Sequence, residues 1–173
     1  MNFVVHPSLE LLEKLRRLHH SKCFACASEA FRLDFSVTPD GGLEAIRTFG
    51  DGCCSYAGHV HGGLLSLCID EAMTCNLMAH GVVAVTGRLN LRYLHPVQPG
   101  VPAVIRSRLC SANAPLFEME ASIWQDEAVL VRGSAKFMIR SGGERRSACG
   151  SSGLTASLSC DAIEHAPKSR SGL

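Results

Sequence analysis

Residues 61–71, His-Gly-Gly-Leu-Leu-Ser-Leu-Cys-Ile-Asp-Glu, set two glycines and two carboxylates into an apolar run that has no basic residue beside it. Glycine weakens a helix by about 1 kcal/mol relative to alanine, and an ionised carboxylate in an apolar setting is costly unless it is paired or used. Both features make sense if the backbone N–H groups of Gly62 and Gly63 must approach a ligand and Asp70 must react with it. A helix start offers unpaired N–H donors and a positive dipole end. These suit the oxyanion that develops when a carbonyl is attacked. Asp70 then supplies a base or a nucleophile. At 100° per residue, Gly62, Ser66, Asp70 and Thr74 form one polar stripe on an apolar helix; Gly63, beside Gly62, and Ser66 are the expected substrate-binding residues. Glu71 lies about 100° further round and reads as a structural or rim acid.

Distance imposes a second expectation. Eight residues of helical rise separate Gly62 from Asp70 by roughly 12 Å. A reacting carbonyl needs its N–H donor and its attacking group each within about 3 Å. Two copies of the helix running antiparallel about a two-fold axis bring Gly62 of one to Asp70 of the other, and symmetric dimers are the commonest oligomers. The expectation is an obligate homodimer with two shared sites, assembly into a tetramer of two dimers being left open.

The elements that must position these groups follow from periodicity. Pro7-Ser8 opens a helix running to about His19, with Ser8 as N-cap and Leu11, Leu12, Leu15 and Leu18 on one face. Period-two alternation marks half-buried strands at Phe31-Leu33-Phe35-Val37, Leu89-Leu91-Tyr93, Phe117-Met119-Ala121-Ile123 and Val129-Val131-Gly133-Ala135-Phe137-Ile139. Shorter strands are predicted over 43–49 and 103–110. Pro39-Asp40-Gly41-Gly42 reads as a hairpin turn, and Pro96-Val97-Gln98-Pro99-Gly100 as a tight connection. The order is a leading helix, two strands, one long apolar helix and four strands in a meander, an α+β arrangement. Three segments are expected: an N-terminal helical segment (1–22), one domain (23–140), and a tail (141–173) too poor in large apolar residues to fold.

Composition narrows the classes. A net charge of +1 on 173 residues, with no long basic run, gives no footprint for nucleic acid. The apolar stretch of 64–69 is cut short by Asp70 and Glu71, so no membrane span is predicted. The first residues lack the pattern of a signal peptide. Nine cysteines are therefore expected as reduced thiols in a cytoplasmic protein, with Cys68 and Cys75 as small core residues.

His61-Gly62-Gly63 with an acid nine positions after His61, followed by a strand ending Tyr93-Leu94-His95-Pro96, resembles the hotdog-fold acyl-CoA thioesterases, among them the phenylacetate-pathway and 4-hydroxybenzoyl-CoA groups. The resemblance covers about residues 23–140. It implies an antiparallel sheet wrapped around one long central helix, sheets paired side by side in a dimer, and an acyl-CoA substrate hydrolysed to free acid and coenzyme A, with no other cofactor. By position it implies that the Gly62 N–H polarises the thioester carbonyl, that His61 shapes the turn, and that Asp70 is the catalytic carboxylate of the facing subunit. Thr86 matches a hydroxyl that helps position the water. Ser55 stands where many members carry Asn or Gln.

Other constellations carry different chemistry. Cys23-Phe24-Ala25-Cys26 resembles a Cys-Phe-x-Cys segment in one branch of these thioesterases, and a C-x-x-C can hold zinc or act in redox reactions. Zinc needs two more ligands, from His19, His20, Cys53 or Cys54, and no regular spacing supplies them. Local packing without a metal is the preferred reading. Cys53 or Cys54 with His59 or His61 is a weaker nucleophile–base pairing. Arg88, Arg92, Arg106, Arg108, Lys136 and Arg140 are candidates for coenzyme A phosphates, though exposed strand faces ordinarily carry such charges. Gly58-His59 with Glu71 echoes the His and Glu of hotdog enoyl dehydratases, at shorter spacing. A non-catalytic acyl-CoA-binding protein is the remaining alternative.

Overall fold

The computed structural model describes residues 6–29 and 31–139. Arg140 and the predicted tail over 141–173 lie outside the described residues. Helix α1 (Leu9–His19) is capped by Ser8, whose hydroxyl accepts from the Leu11 N–H at 3.3 Å, as its sequence position predicts. A one-turn helix, α2 (Phe24–Ala27), follows. Strands β1 (Ser36–Val37) and β2 (Leu43–Thr48) form the hairpin expected around Pro39–Gly42, with Gly41 at φ 81°, a backbone conformation glycine adopts without strain. Next come a 3-10 turn over Asp51–Cys53 and the short strands β3 (Cys54–Tyr56) and β4 (His59–Val60). The long helix α3 runs Gly62–Ala79. Four long strands complete the fold, β5 (Val85–Tyr93), β6 (Pro102–Asn113), β7 (Leu116–Gln125) and β8 (Ala128–Met138).

One antiparallel sheet holds six strands in the order β1-β2-β6-β7-β8-β5, and β3 and β4 pair separately. The architecture is α+β with α3 packed across the sheet, as the resemblance implies. The expected four-strand meander is corrected in one respect. Of those four strands only β6, β7 and β8 are sequential neighbours, whereas β5 pairs with β8 at the far edge. Periodicity says which face of a strand is buried but not which strand lies beside it.

The core sits between α3 and the inner sheet face. Ile69, Met73, Ile105, Ile123, Val131 and Phe137 are fully buried, each contributing about 1.5–3 kcal/mol by burial of its side chain. Close approach is set at Gly133 in β8: a Cβ there would lie 2.5 Å from Ile69 Cγ2 and 3.0 Å from Leu91 Cδ2. Asn76 ties α3 to β6 by donating to the Ser107 carbonyl at 2.9 Å, while the Ser107 hydroxyl donates to the Ala72 carbonyl. Helix α1 packs on α3 through Leu12, Cys75, Met78 and Ala79. Leu18, expected on that inner face, is 64% exposed, and Arg16 points inward in a polar pocket instead. Of the predicted 31–37 strand only Ser36–Val37 pairs in the sheet. Among the described residues no helix is long and apolar enough to cross a membrane.

Candidate active site

The α3 N-terminus is built as its sequence requires. His61 is the N-cap, extended at φ −60° and ψ 126°, and its Nδ1 accepts from the Gly63 N–H at 2.9 Å. Accepting through Nδ1 requires the tautomer protonated at Nε2. Among the described residues no acceptor takes the Gly62 N–H, which leaves it as the free donor of the first turn. The Gly62 carbonyl, in contrast, is held twice, by the Tyr93 hydroxyl at 3.0 Å and the Ser66 hydroxyl at 2.9 Å, with the two hydroxyls 2.6 Å apart. The two hydroxyl protons are shared over these three contacts, in a cluster that fastens the start of α3 to the end of β5. Ser66, expected at the substrate, thus spends its hydroxyl on this cluster. Tyr93 was not foreseen as a site residue, because its place in the Leu89-Leu91-Tyr93 alternation reads as apolar packing.

Two turns further along α3, half-buried Asp70 accepts from the Thr86 hydroxyl at 2.7 Å through one carboxylate oxygen. Among the described residues no basic group pairs with it. Thr86 would face outward if β5 alternated regularly with Leu89 and Leu91. A β-bulge between Thr86 and Arg88 turns it onto the inner face, opposite Phe137 of β8, a common device for re-aiming a side chain beside a site. The fold therefore joins Asp70 to Thr86, and Gly62 to His61, Gly63 and Ser66. Gly62 and Asp70 themselves sit eight residues apart on α3. Ser55 is exposed in β3 and hydrogen-bonds neither group.

The competing constellations fare differently. The His61 backbone N–H donates to the Cys53 carbonyl at 2.8 Å, but no imidazole engages the Cys53 or Cys54 thiol among the described residues. His59 is exposed on β4 while Glu71 is 5% exposed and faces α1 and α2, so the dehydratase-like pair is not assembled. Glu71 is thus a structural acid rather than a rim one. Its burial, the hydrogen bond to Cys26 and the charge there push its carboxyl up to about 7, against the pull of Arg16. Several candidate phosphate-binding cations are already paired: Arg106 with Glu44 at 2.5 Å, Arg108 with Glu120 at 2.7 Å and Lys136 with Glu118 at 3.0 Å.

Comparison with known proteins agrees with this architecture. Residues 57–131, from the turn before β4 into β8, match the model of the Thioesterase superfamily. The structure is similar to the Escherichia coli PaaI protein from the phenylacetic acid degradation operon, at 15% identity and a TM-score of 0.64, over 76% of this chain and 100% of that one. It is similar to smu.793 from Streptococcus mutans UA159, solved bound to acetyl CoA, at 16% identity and a TM-score of 0.59, over 63% and 89%. It is also similar to RHA08564, described as a thioesterase superfamily protein, at 23% identity and a TM-score of 0.59 over 61% of this chain. The chain spans about half of that protein's length, 55%. Among curated proteins no match is found.

Proposed function

We propose that this protein, a hotdog fold whose residues 57–131 match the Thioesterase superfamily model, hydrolyses acyl-CoA thioesters to a free acid and coenzyme A. The observation that carries the reading is the free Gly62 N–H at the start of α3 together with Asp70 on the same helix, whose carboxylate accepts from Thr86 of β5. Across a two-fold axis, Gly62 of one copy and Asp70 of the other flank one thioester. The Gly62 N–H donates to the carbonyl oxygen. Thr86 occupies one oxygen of Asp70 and leaves the other to accept a proton from water. The water oxygen bonds to the carbonyl carbon, and the C=O electron pair moves onto the oxygen held by Gly62. Collapse of this tetrahedral species re-forms the carbonyl and breaks the C–S bond. The thiolate is a good leaving group and takes the proton from Asp70. Ser66, Tyr93 and His61 act by positioning the donor peptide.

The functional unit is a homodimer on this reading, because a lone helix cannot serve both ends of the reaction. A reducing, cytoplasmic setting is part of this reading, resting on the nine cysteines of the sequence. The test is release of free thiol across acyl-CoAs that differ in chain length and aromaticity, in parallel with Asp70→Asn. Turnover that disappears in the variant supports the reading. Acyl-CoA binding without turnover in the wild type replaces it with a binding protein, and hydration of 2-enoyl-CoA replaces it with a hydratase.

A further inference from the structure

We propose that His20, Cys23, Cys26 and Glu71 form a tetrahedral zinc site that fastens the N-terminal segment to the central helix. Three of the donors come from seven consecutive residues, His20-x-x-Cys23-x-x-Cys26, where the chain turns from α1 into α2. The fourth comes from α3, 45 positions after Cys26. One ligand atom from each residue lies within 4.8 Å of all the others. Bonds of about 2.0–2.3 Å to one tetrahedral ion place donor atoms about 3.3–3.8 Å apart. Cys26 Sγ lies 3.7 Å from His20 Nδ1, Cys23 Sγ lies 3.8 Å from Glu71 Oε2, and Cys26 Sγ lies 2.7 Å from Glu71 Oε1. The first two distances already have that spacing, the Cys26–Glu71 contact must open by about 1 Å if Oε1 is the ligand, and the remaining pairs must settle from within 4.8 Å to the same spacing.

The donor chemistry selects the metal class. Two thiolates and an imidazole suit zinc and disfavour magnesium or calcium, which take oxygen ligands. All four positions are filled by the protein, and a closed tetrahedron is the mark of a structural site. Charge points the same way. Two thiolates and a carboxylate around a divalent ion leave one net negative charge, and the buried guanidinium of Arg16 stands 3.9 Å from Glu71 Oε1. Cys75, 3.1 Å from Glu71 Oε1, is the neighbouring group that steadies the carboxylate. Without an ion, the fold buries a carboxyl against three thiols, an expensive arrangement for its polarity. The missing ligands that made packing the preferred reading of Cys23 and Cys26 are now identified: His20 out of several candidates, and Glu71, which linear spacing does not reveal.

The site is tested on the full chain carrying no polyhistidine tag, purified under reducing conditions. Metal content is read by elemental analysis, and Zn²⁺ is titrated against a chromophoric chelator. Co²⁺ serves as a spectroscopic probe. One equivalent per chain is expected, with thiolate-to-cobalt charge transfer, the intense d–d bands of tetrahedral Co²⁺, and a metal-dependent rise in Tm. Cys23→Ser, Cys26→Ser and Glu71→Gln should each weaken binding by at least about tenfold, whereas Cys54→Ser should not. His20→Asn alters a half-exposed side chain outside the helices and keeps the test decisive if a cysteine variant fails to fold. Substoichiometric metal, an octahedral cobalt spectrum, or affinity unchanged in both His20→Asn and Cys26→Ser overturns the proposal. So does a Cys23–Cys26 disulfide that resists reductant and excludes the metal.

Discussion

Gly62→Pro deletes the proposed oxyanion donor and very little else. The donor is a backbone N–H, which ordinary side-chain substitutions leave in place. Gly62 is the first residue of α3, where proline is favoured because its missing N–H would have no partner within the helix. His61 is extended at ψ 126°, the conformation that a following proline requires. An atom at the Cβ position meets only the Tyr93 ring, at 3.6 Å, an ordinary contact. The Gly62 carbonyl keeps both hydroxyl donors, and the His61 bond to Gly63 is untouched. Stability should therefore change by less than about 1 kcal/mol. Loss of one oxyanion donor should lower kcat by about 10²–10³, or about 2.7–4 kcal/mol, with KM little changed because the interaction strengthens in the transition state. The assay is steady-state thiol release, with Gly62→Ala, which retains the N–H, as control. Mixing Gly62→Pro with Asp70→Asn then tests the shared site. Half the dimers in an equal, re-equilibrated mixture are mixed, each with one intact site of two, so activity should recover to about a quarter of wild type. Activity of Gly62→Pro within about threefold of wild type refutes the donor assignment. Absence of recovery in the mixture refutes the cross-copy site.

Three other outcomes are expected. Asp70→Asn keeps an acceptor for Thr86, so it should cost about 1 kcal/mol of stability while lowering kcat by about 10²–10⁴; parallel loss of fold and activity in circular dichroism and thiol-release assays would argue for a structural role. Gly133→Val drives a side chain into Ile69 and Leu91 and should destabilise by about 1–3 kcal/mol or more in urea unfolding, and an unchanged midpoint would contradict the close helix–sheet approach. Partial burial opposes ionisation of Glu13, but hydrogen bonds from Arg16 and Arg32 and their charges outweigh it and hold its carboxyl below the usual range. That contribution is complete above the unfolded value, near pH 4.3, and is lost as pH falls through the lower folded value. Glu13→Gln should flatten this acid limb of stability while changing stability at neutral pH by no more than about 1 kcal/mol, given the exposure of Glu13 and Arg32; superimposable pH–stability curves would refute it.

Local grammar was readable wherever the cause is local. The Ser8 cap, the Gly41 turn, the start of α3 at Gly62 and the core faces of β7 and β8 follow from residue type and spacing within a few positions. Partnership was not readable. The alternation of Leu89 and Leu91 is the same whether β5 lies beside β6 or β8, and no residue of β3 or β4 announces their pairing. Arg16 looks like a solvent-facing helix residue until Cys75, Glu71 and the Leu33 carbonyl, all distant in sequence, surround it. Tyr93 hides its polar function behind an aromatic ring that fits the apolar alternation. At the candidate site, the positions of Gly62 and Asp70 were legible because both lie on one helix; Thr86 was placed at the site only through the family resemblance, and its bond to Asp70 depends on a bulge that the sequence does not announce.

The extra residue in β5 has a consequence for how this strand can vary in length. Thr86 and Tyr93 are seven positions apart, an odd interval, and in a regular strand an odd interval sends two side chains to opposite sides. Both nevertheless reach α3, because Gly87 is the uncounted step in the ladder with β8. Parity is thus the quantity to be conserved. Loss of Gly87 would leave a regular strand with both anchors still on one side, whereas loss of a single residue between 88 and 92 would turn one anchor away from the helix. The candidate site tolerates a shorter edge strand only at the one place where the strand already miscounts.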